Sequence, residues 1–276
     1  MIIAGLILLS FQVVRHNKLK IQMSDLWLFF KTALFHIYFA FILEFWALQY
    51  VSALKTTLIY STTPFIAALL SYLLLNERLS VQKIIGIIIG LGGLAPVLMA
   101  TISKTETPLE FGTISLQEIA LMTAVISAAY AWFLVKKLMN KGYSFSLING
   151  VTMLMGGVLS LITSAVFEGL QQPVYAWGPF LGWILALILV ANVVFYNMFG
   201  WLLQWYSITF ITFSGFLCPG FGTLYEWLFM GGAISWHYLV SLVLVTLGLY
   251  IFYRQELAHL KIESLKKAHG PVTPES

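Results

Sequence analysis

Charge is what this sequence has least of: Asp, Glu, Lys and Arg make up 9% of its 276 residues, against 60% hydrophobic. A soluble domain carries roughly a quarter charged residues, so this chain cannot clothe a water-facing surface. Cysteine is nearly absent as well. Cys218 stands alone, which excludes an intrachain disulfide and any multi-cysteine metal site. No Asn is followed two positions later by Ser or Thr, so N-glycosylation has no acceptor, weakly compatible with a bacterial protein. A Walker phosphate loop, a nucleophile elbow and a His-rich cluster are also missing. Their absence argues against ATP hydrolysis by this chain and against the common hydrolase chemistries, and no cofactor or metal is expected. The net charge of +4 is no nucleic-acid signal, because the basic residues sit in short loops between apolar runs. That placement points to lipid headgroups.

What fills the chain instead is apolar sequence in lengths that suit a bilayer. A hydrocarbon core takes roughly 20 residues of helix. Runs of that kind fall at 25–48, 53–75, 81–101, 116–135, 144–166, 180–203, 208–230 and 237–253. The opening stretch, Met1 to Val14, has the same character but is short; it lacks a basic leader and reads as a shortened membrane helix rather than a signal peptide. Helices are the expected form, since only helices and closed barrels satisfy the backbone in lipid and the alternation of a barrel strand is absent. Nine Trp and 13 Tyr suit interfacial anchors.

Alternating these spans collects Arg15, Lys18, Lys20, Arg78, Lys83, Lys136, Lys137, Lys141, Arg254, Lys261, Lys266 and Lys267 on one face. The opposite face holds Lys55 and Lys104 with Glu106, Glu110, Glu118 and Glu168. By the positive-inside rule the first face is cytoplasmic, as is the polar tail 254–276. A multi-pass protein of the cytoplasmic membrane is the expectation.

The two halves echo each other. Trp46-Ala-Leu-Gln-Tyr-Val-Ser52 pairs with Trp201-Leu-Leu-Gln-Trp-Tyr-Ser207, and Pro64 pairs with Pro219, all at one offset of 155 positions. On the topology above the two turns lie on opposite faces, so the repeat is inverted. Inverted repeats can rock between two equivalent states around a midplane site, which gives alternating access.

The stretch from Pro64 through Ser71 to Asn76-Glu77-Arg78-Leu79-Ser80, followed by the Gly-rich helix Ile84 to Leu94, resembles the EamA domain of the drug/metabolite transporter superfamily. The resemblance covers nearly the whole chain. It implies an all-α membrane protein of two inverted repeats around a cavity, here 1–101 and 116–253, and a secondary transporter rather than an enzyme. Two departures stand out. A full member has ten helices, whereas eight clear spans and a short opening one are read here, so the first helix is missing from the expected set, through a late start codon or a nine-helix variant. The positions matching Glu77 and Arg78 in the second repeat are Gly232 and Ala233. The aromatic stretch from Phe199 to Met230 is similar, in texture rather than by motif, to the S-adenosylmethionine carriers of intracellular bacteria. Exchange of S-adenosylmethionine for S-adenosylhomocysteine is the specific expectation, with export of amino acids or drugs as the alternative. A membrane scaffold and a membrane-embedded enzyme are the competing classes. The expected partners are a small-molecule substrate and the lipid bilayer, with a homodimer as a further option.

Ionisable groups inside a bilayer are functional candidates by default. Glu44, Glu226 and Lys55 are placed toward the outer side, where they would line a vestibule for a zwitterionic or cationic solute or a coupling proton; a structural ion pair of Glu44 with Lys55 is the alternative. His36 sits mid-span, as a proton relay or a packed histidine. Tyr60, Ser61, Thr62 and Thr63 precede Pro64, whose missing donor frees the carbonyl of Tyr60; they and the segment around Pro219 are candidate cavity linings or simple kinks. Asn192, Tyr196 and Asn197 offer hydrogen bonds to a solute or between helices. Trp201, like Trp46, would stack on a ligand or anchor at the interface. Gly86 and Gly90 present a small-residue face for close packing.

Overall fold

The computed structural model describes residues 1–15, 20–76, 80–102, 115–167, 177–230 and 236–269. All regular structure among them is helical. Six stretches are long and apolar enough to cross a membrane: Met23–Leu48, Lys55–Leu75, Leu116–Asn140, Phe145–Phe167, Trp177–Leu202 and Trp236–Ala258. Shorter apolar helices cover Ile2–Val14, Val81–Val97 and Ile208–Leu217. The elements are numbered in chain order: α1 (Ile2–Val14), α2 (Met23–Leu48), α3 (Ala53–Tyr60), α4 (Thr63–Leu75), α5 (Val81–Ile102), α6 (Leu116–Asn140), α7 (Phe145–Phe167), α8 (Trp177–Leu202), α9 (Ile208–Ser214), α10 (Cys218–Met230) and α11 (Trp236–His269).

The chain folds as two compact units that interleave in sequence. One comprises Met1–Tyr60 with Thr113–Trp205, the other Ser61–Gly112 with Tyr206–Ser276. Each unit therefore draws helices from both sequence repeats.

In the first unit α7 packs along α1 through glycines. A Cβ on Gly5 would lie 2.8 Å from the Gly150 carbonyl oxygen, and one on Gly156 would lie 2.5 Å from Ile37 of α2. The backbones touch there because no side chain intervenes. Around these contacts Ala4, Leu8, Ile37, Met153 and Ile188 form a buried layer, flanked by Val193 and Tyr196. A second layer joins α2 to α6 through Ala47, Val51, Ala120 and Leu121. The start of α6 is fixed by a capping box: Ser115 Oγ accepts from the Glu118 amide, and Glu118 accepts from the Ser115 amide.

In the second unit α5 and α11 cross on Gly86 and Gly248. A Cβ on either would come within 2.8 Å or less of the other's carbonyl oxygen. The expected small face of α5 is thus a helix crossing, and Gly90 packs on Phe213 of α9. Ile87, Leu94, Phe213, Phe216, Val245 and Phe252 make the core.

Several helices depart from the boundaries that hydrophobicity alone suggests. The run 53–75 turns at Ser61 and Thr62 before Pro64, which sits in the first turn of α4, where its missing N–H costs nothing. The run 208–230 tightens into a 3-10 turn at Gly215–Leu217 before Pro219. Residues 254–269, expected as a polar tail, continue α11 to His269. Their Glu, Leu, Lys and Ala favour helix, and no breaker follows until Gly270 and Pro271. The Glu77-Arg78 turn, and Gly232 with Ala233, lie outside the described residues.

Candidate functional site

Two of the helices that carry candidate polar residues of the first unit contain a π-helical stretch: Leu34–Tyr38 within α2 and Leu187–Phe195 within α8. Shifted by the repeat offset, the first falls inside the second. A π turn widens the helix and releases carbonyls from the regular ladder, and such turns are frequent at functional sites. One carbonyl of the first stretch is taken up by α6: Ser127 Oγ donates to Phe35 O at 2.8 Å. Tyr38 and Thr163 hydroxyls are hydrogen-bonded at 2.9 Å and tie the same stretch to α7.

His36 lies within that π turn, 2% exposed. Its ring meets Trp132 edge-on at 4.6 Å and Tyr196 at 5.0 Å, while Trp132 stacks on Phe199 at 3.8 Å. Neither ring nitrogen of His36 has a hydrogen-bond partner among the described residues. Two turns further along α2, Glu44 is half-buried. The Tyr60 hydroxyl hydrogen-bonds to its carboxylate, and Tyr196 lies close enough to interact with it electrostatically. The structure thus gathers Glu44, Tyr60, Tyr196 and His36 into one aromatic-walled polar array.

Lys55 is not part of that array. Its ammonium pairs with Glu118 at 2.5 Å, not with Glu44. Asp25 likewise has a lysine partner, Lys141, and accepts from the Tyr143 hydroxyl at 2.8 Å. Glu44 is therefore the carboxylate among the described residues of the first unit without a cationic side chain beside it. An anion placed among aromatic rings, with one phenol donor and no counter-charge, is suited to receive a cation from outside the chain.

The remaining candidates separate. Asn192 is buried in the second π stretch. Asn197 accepts from Ser146 Oγ at 2.8 Å and donates to the Val193 carbonyl at 2.7 Å, so it bridges helices. Trp201 is 53% exposed, as an interfacial anchor would be. Ser61 is buried and Thr62 half-buried, both in the second unit, whereas Tyr60 belongs to the first. The side chains of Glu226 and Pro219 lie outside the described ones. Sequence reasoning missed Trp132 and Phe199, which are indistinguishable from core aromatics in an apolar run. It also missed Asn149, whose signal was an amide one turn into a long apolar helix.

Long apolar helices with paired π stretches and a carboxylate set among aromatic rings are the features of the first unit that a solute carrier could use. The chain belongs to the EamA-like transporter family, whose model matches residues 1–99 and 115–254. Among curated proteins it is 31% identical to the S-adenosylmethionine/S-adenosylhomocysteine transporter of Chlamydia trachomatis serovar L2, over 93% of this chain and 79% of that protein. It is 30% identical to the transporter of the same description from Chlamydia muridarum, over 93% of this chain and 81% of that one. A protein of Bacillus subtilis described as the uncharacterized transporter YoaV is 22% identical over 75% of this chain and 68% of its own length. A solved crystal structure shares the fold at 18% identity with a TM-score of 0.71, covering 93% of this chain and 85% of the other.

Proposed function

We propose that this membrane transporter exchanges S-adenosylmethionine for S-adenosylhomocysteine across the cytoplasmic membrane, with its polar tail on the cytoplasmic side. Both solutes carry an α-ammonium group, and S-adenosylmethionine adds a sulfonium. The observation that carries the reading is Glu44, a carboxylate held by Tyr60 beside Tyr196 with no lysine or arginine partner among the described residues. In this reading Glu44 receives the ammonium end of either solute, and the neighbouring rings add cation–π attraction. The Chlamydia relatives, 30 and 31% identical over most of both chains, support the adenosyl substrates. Solute exchange through two inverted repeats supplies its own driving force and calls for no reaction chemistry on the substrate.

The test is counterflow in proteoliposomes. Vesicles loaded with unlabelled S-adenosylhomocysteine are expected to accumulate labelled S-adenosylmethionine, and empty vesicles to take up far less. Equal uptake in both, or none in either, would overturn exchange. Glu44→Gln is expected to abolish accumulation while leaving the protein folded.

A further inference from the structure

Asn149 sits in α7, 0% exposed, and neither its side-chain amide nitrogen nor its side-chain oxygen has a partner among the described residues. A carboxamide can make up to four hydrogen bonds, and leaving all of them unmade in an apolar interior is costly. Such a group is open to a partner from outside the chain, a ligand or a water.

Register places Asn149 in the fold. A Cβ on Gly200 would lie 2.8 Å from Phe145, and Ser146 bonds Asn197, so the start of α7 runs antiparallel to the end of α8. One turn along α7 from Phe145 is Asn149, and one turn back along α8 from Gly200 is Tyr196. Met153, a turn further, packs in the layer that Tyr196 flanks. Tyr196 in turn lies 5.0 Å from the His36 ring, whose two nitrogens are also unpartnered. The register thus puts Asn149 level with Tyr196 on the neighbouring helix, while Tyr196 meets the His36 ring and feels the charge of Glu44.

We infer that Asn149 reads the adenine edge of the adenosyl solute, with Tyr196 and His36 as the wall of that purine subsite. A carboxamide presents a donor beside an acceptor, the complement of the adenine N6–H and N7 pair. Adenine is common to both proposed solutes, so one subsite serves both directions of exchange. The inference rests on the adenosyl reading and extends it from the ammonium end of the ligand to its base. Because Asn149 is enclosed here, the purine reaches it only when the helices around it part.

The experiment is competition against uptake of labelled S-adenosylmethionine, using S-adenosylhomocysteine and its inosine counterpart, in which a carbonyl oxygen replaces the N6 amine. The unaltered protein is expected to prefer the adenine compound by about tenfold or more. In Asn149→Leu, and in the smaller Asn149→Val, that ratio should collapse toward one, while preference for competitors retaining the α-amino group stays. Both variants should melt at or above the unaltered protein, since each removes an unpaired buried amide. A ratio kept in the variants, no preference in the unaltered protein, or a lower melting temperature in both variants would each overturn the purine subsite and leave adenosyl transport standing. Failure of the unaltered protein to move any adenosyl compound would remove both.

Discussion

The two units handle their buried polar groups in opposite ways. In the second, Glu256 is 4% exposed and completely engaged: Lys83 pairs with it at 2.5 Å and the Ser207 amide donates to it at 2.7 Å. In the first, the buried side-chain atoms without partners among the described residues accumulate: both nitrogens of His36, the Thr56 hydroxyl and both amide atoms of Asn149. Both π stretches lie there too. The interior is finished at Glu256 in one unit and left open at His36 and Asn149 in the other. Buried polarity that is satisfied rigidifies, whereas buried polarity left unsatisfied is costly.

The contrast can be broken by substitution. Glu256→Ala strands Lys83 and the Ser207 amide in a buried place and is expected to cost about 3–5 kcal/mol, read as a large drop in the thermal melting point. Glu44→Gln should do the reverse: stability stays, but affinity for a cationic solute falls by about 2–5 kcal/mol, measured as binding of labelled S-adenosylmethionine. If Glu256→Ala melts normally, or Glu44→Gln destabilises, the division between the units fails. Gly248→Ala would push a methyl to 2.5 Å from the Gly86 carbonyl and should cost about 1–3 kcal/mol, while Gly92→Ala, which meets nothing within 4 Å, should be neutral or slightly stabilising.

The smallest effect sharpens the repeat. Ser52 accepts from the Lys55 amide and Ser207 from the Phe210 amide, the same cap at repeat-equivalent positions. Ser207→Ala and Ser52→Ala should each cost about 0.5–2 kcal/mol. The Ser207 loss is expected to be the larger, because its Oγ bond is shorter, 3.2 Å against 3.4 Å.

Much of the fold was legible in the sequence, because lipid leaves few options: long apolar runs become helices, and the Trp-to-Ser repeat marks matching turns. Two matters were not. The π stretches leave no trace in a helix that is apolar all round, where periodicity carries no contrast. The partner of Lys55 was also hidden. Glu118 is 63 positions away and shares its end of the first unit only after folding. Glu44, Tyr60, Tyr196 and His36 were each visible as polar residues in apolar runs, yet their convergence depended on helix rotation, which composition does not set.

One span, Lys55–Leu75, changes unit between Tyr60 and Ser61, and the first unit closes only with Trp205. During synthesis its opening helices must therefore wait in the bilayer while roughly three-quarters of the polypeptide is made, at ~5–20 residues per second. No single cut of the gene yields either body alone. Until Trp205 has been made, the first unit has no complete set of helices to pack against.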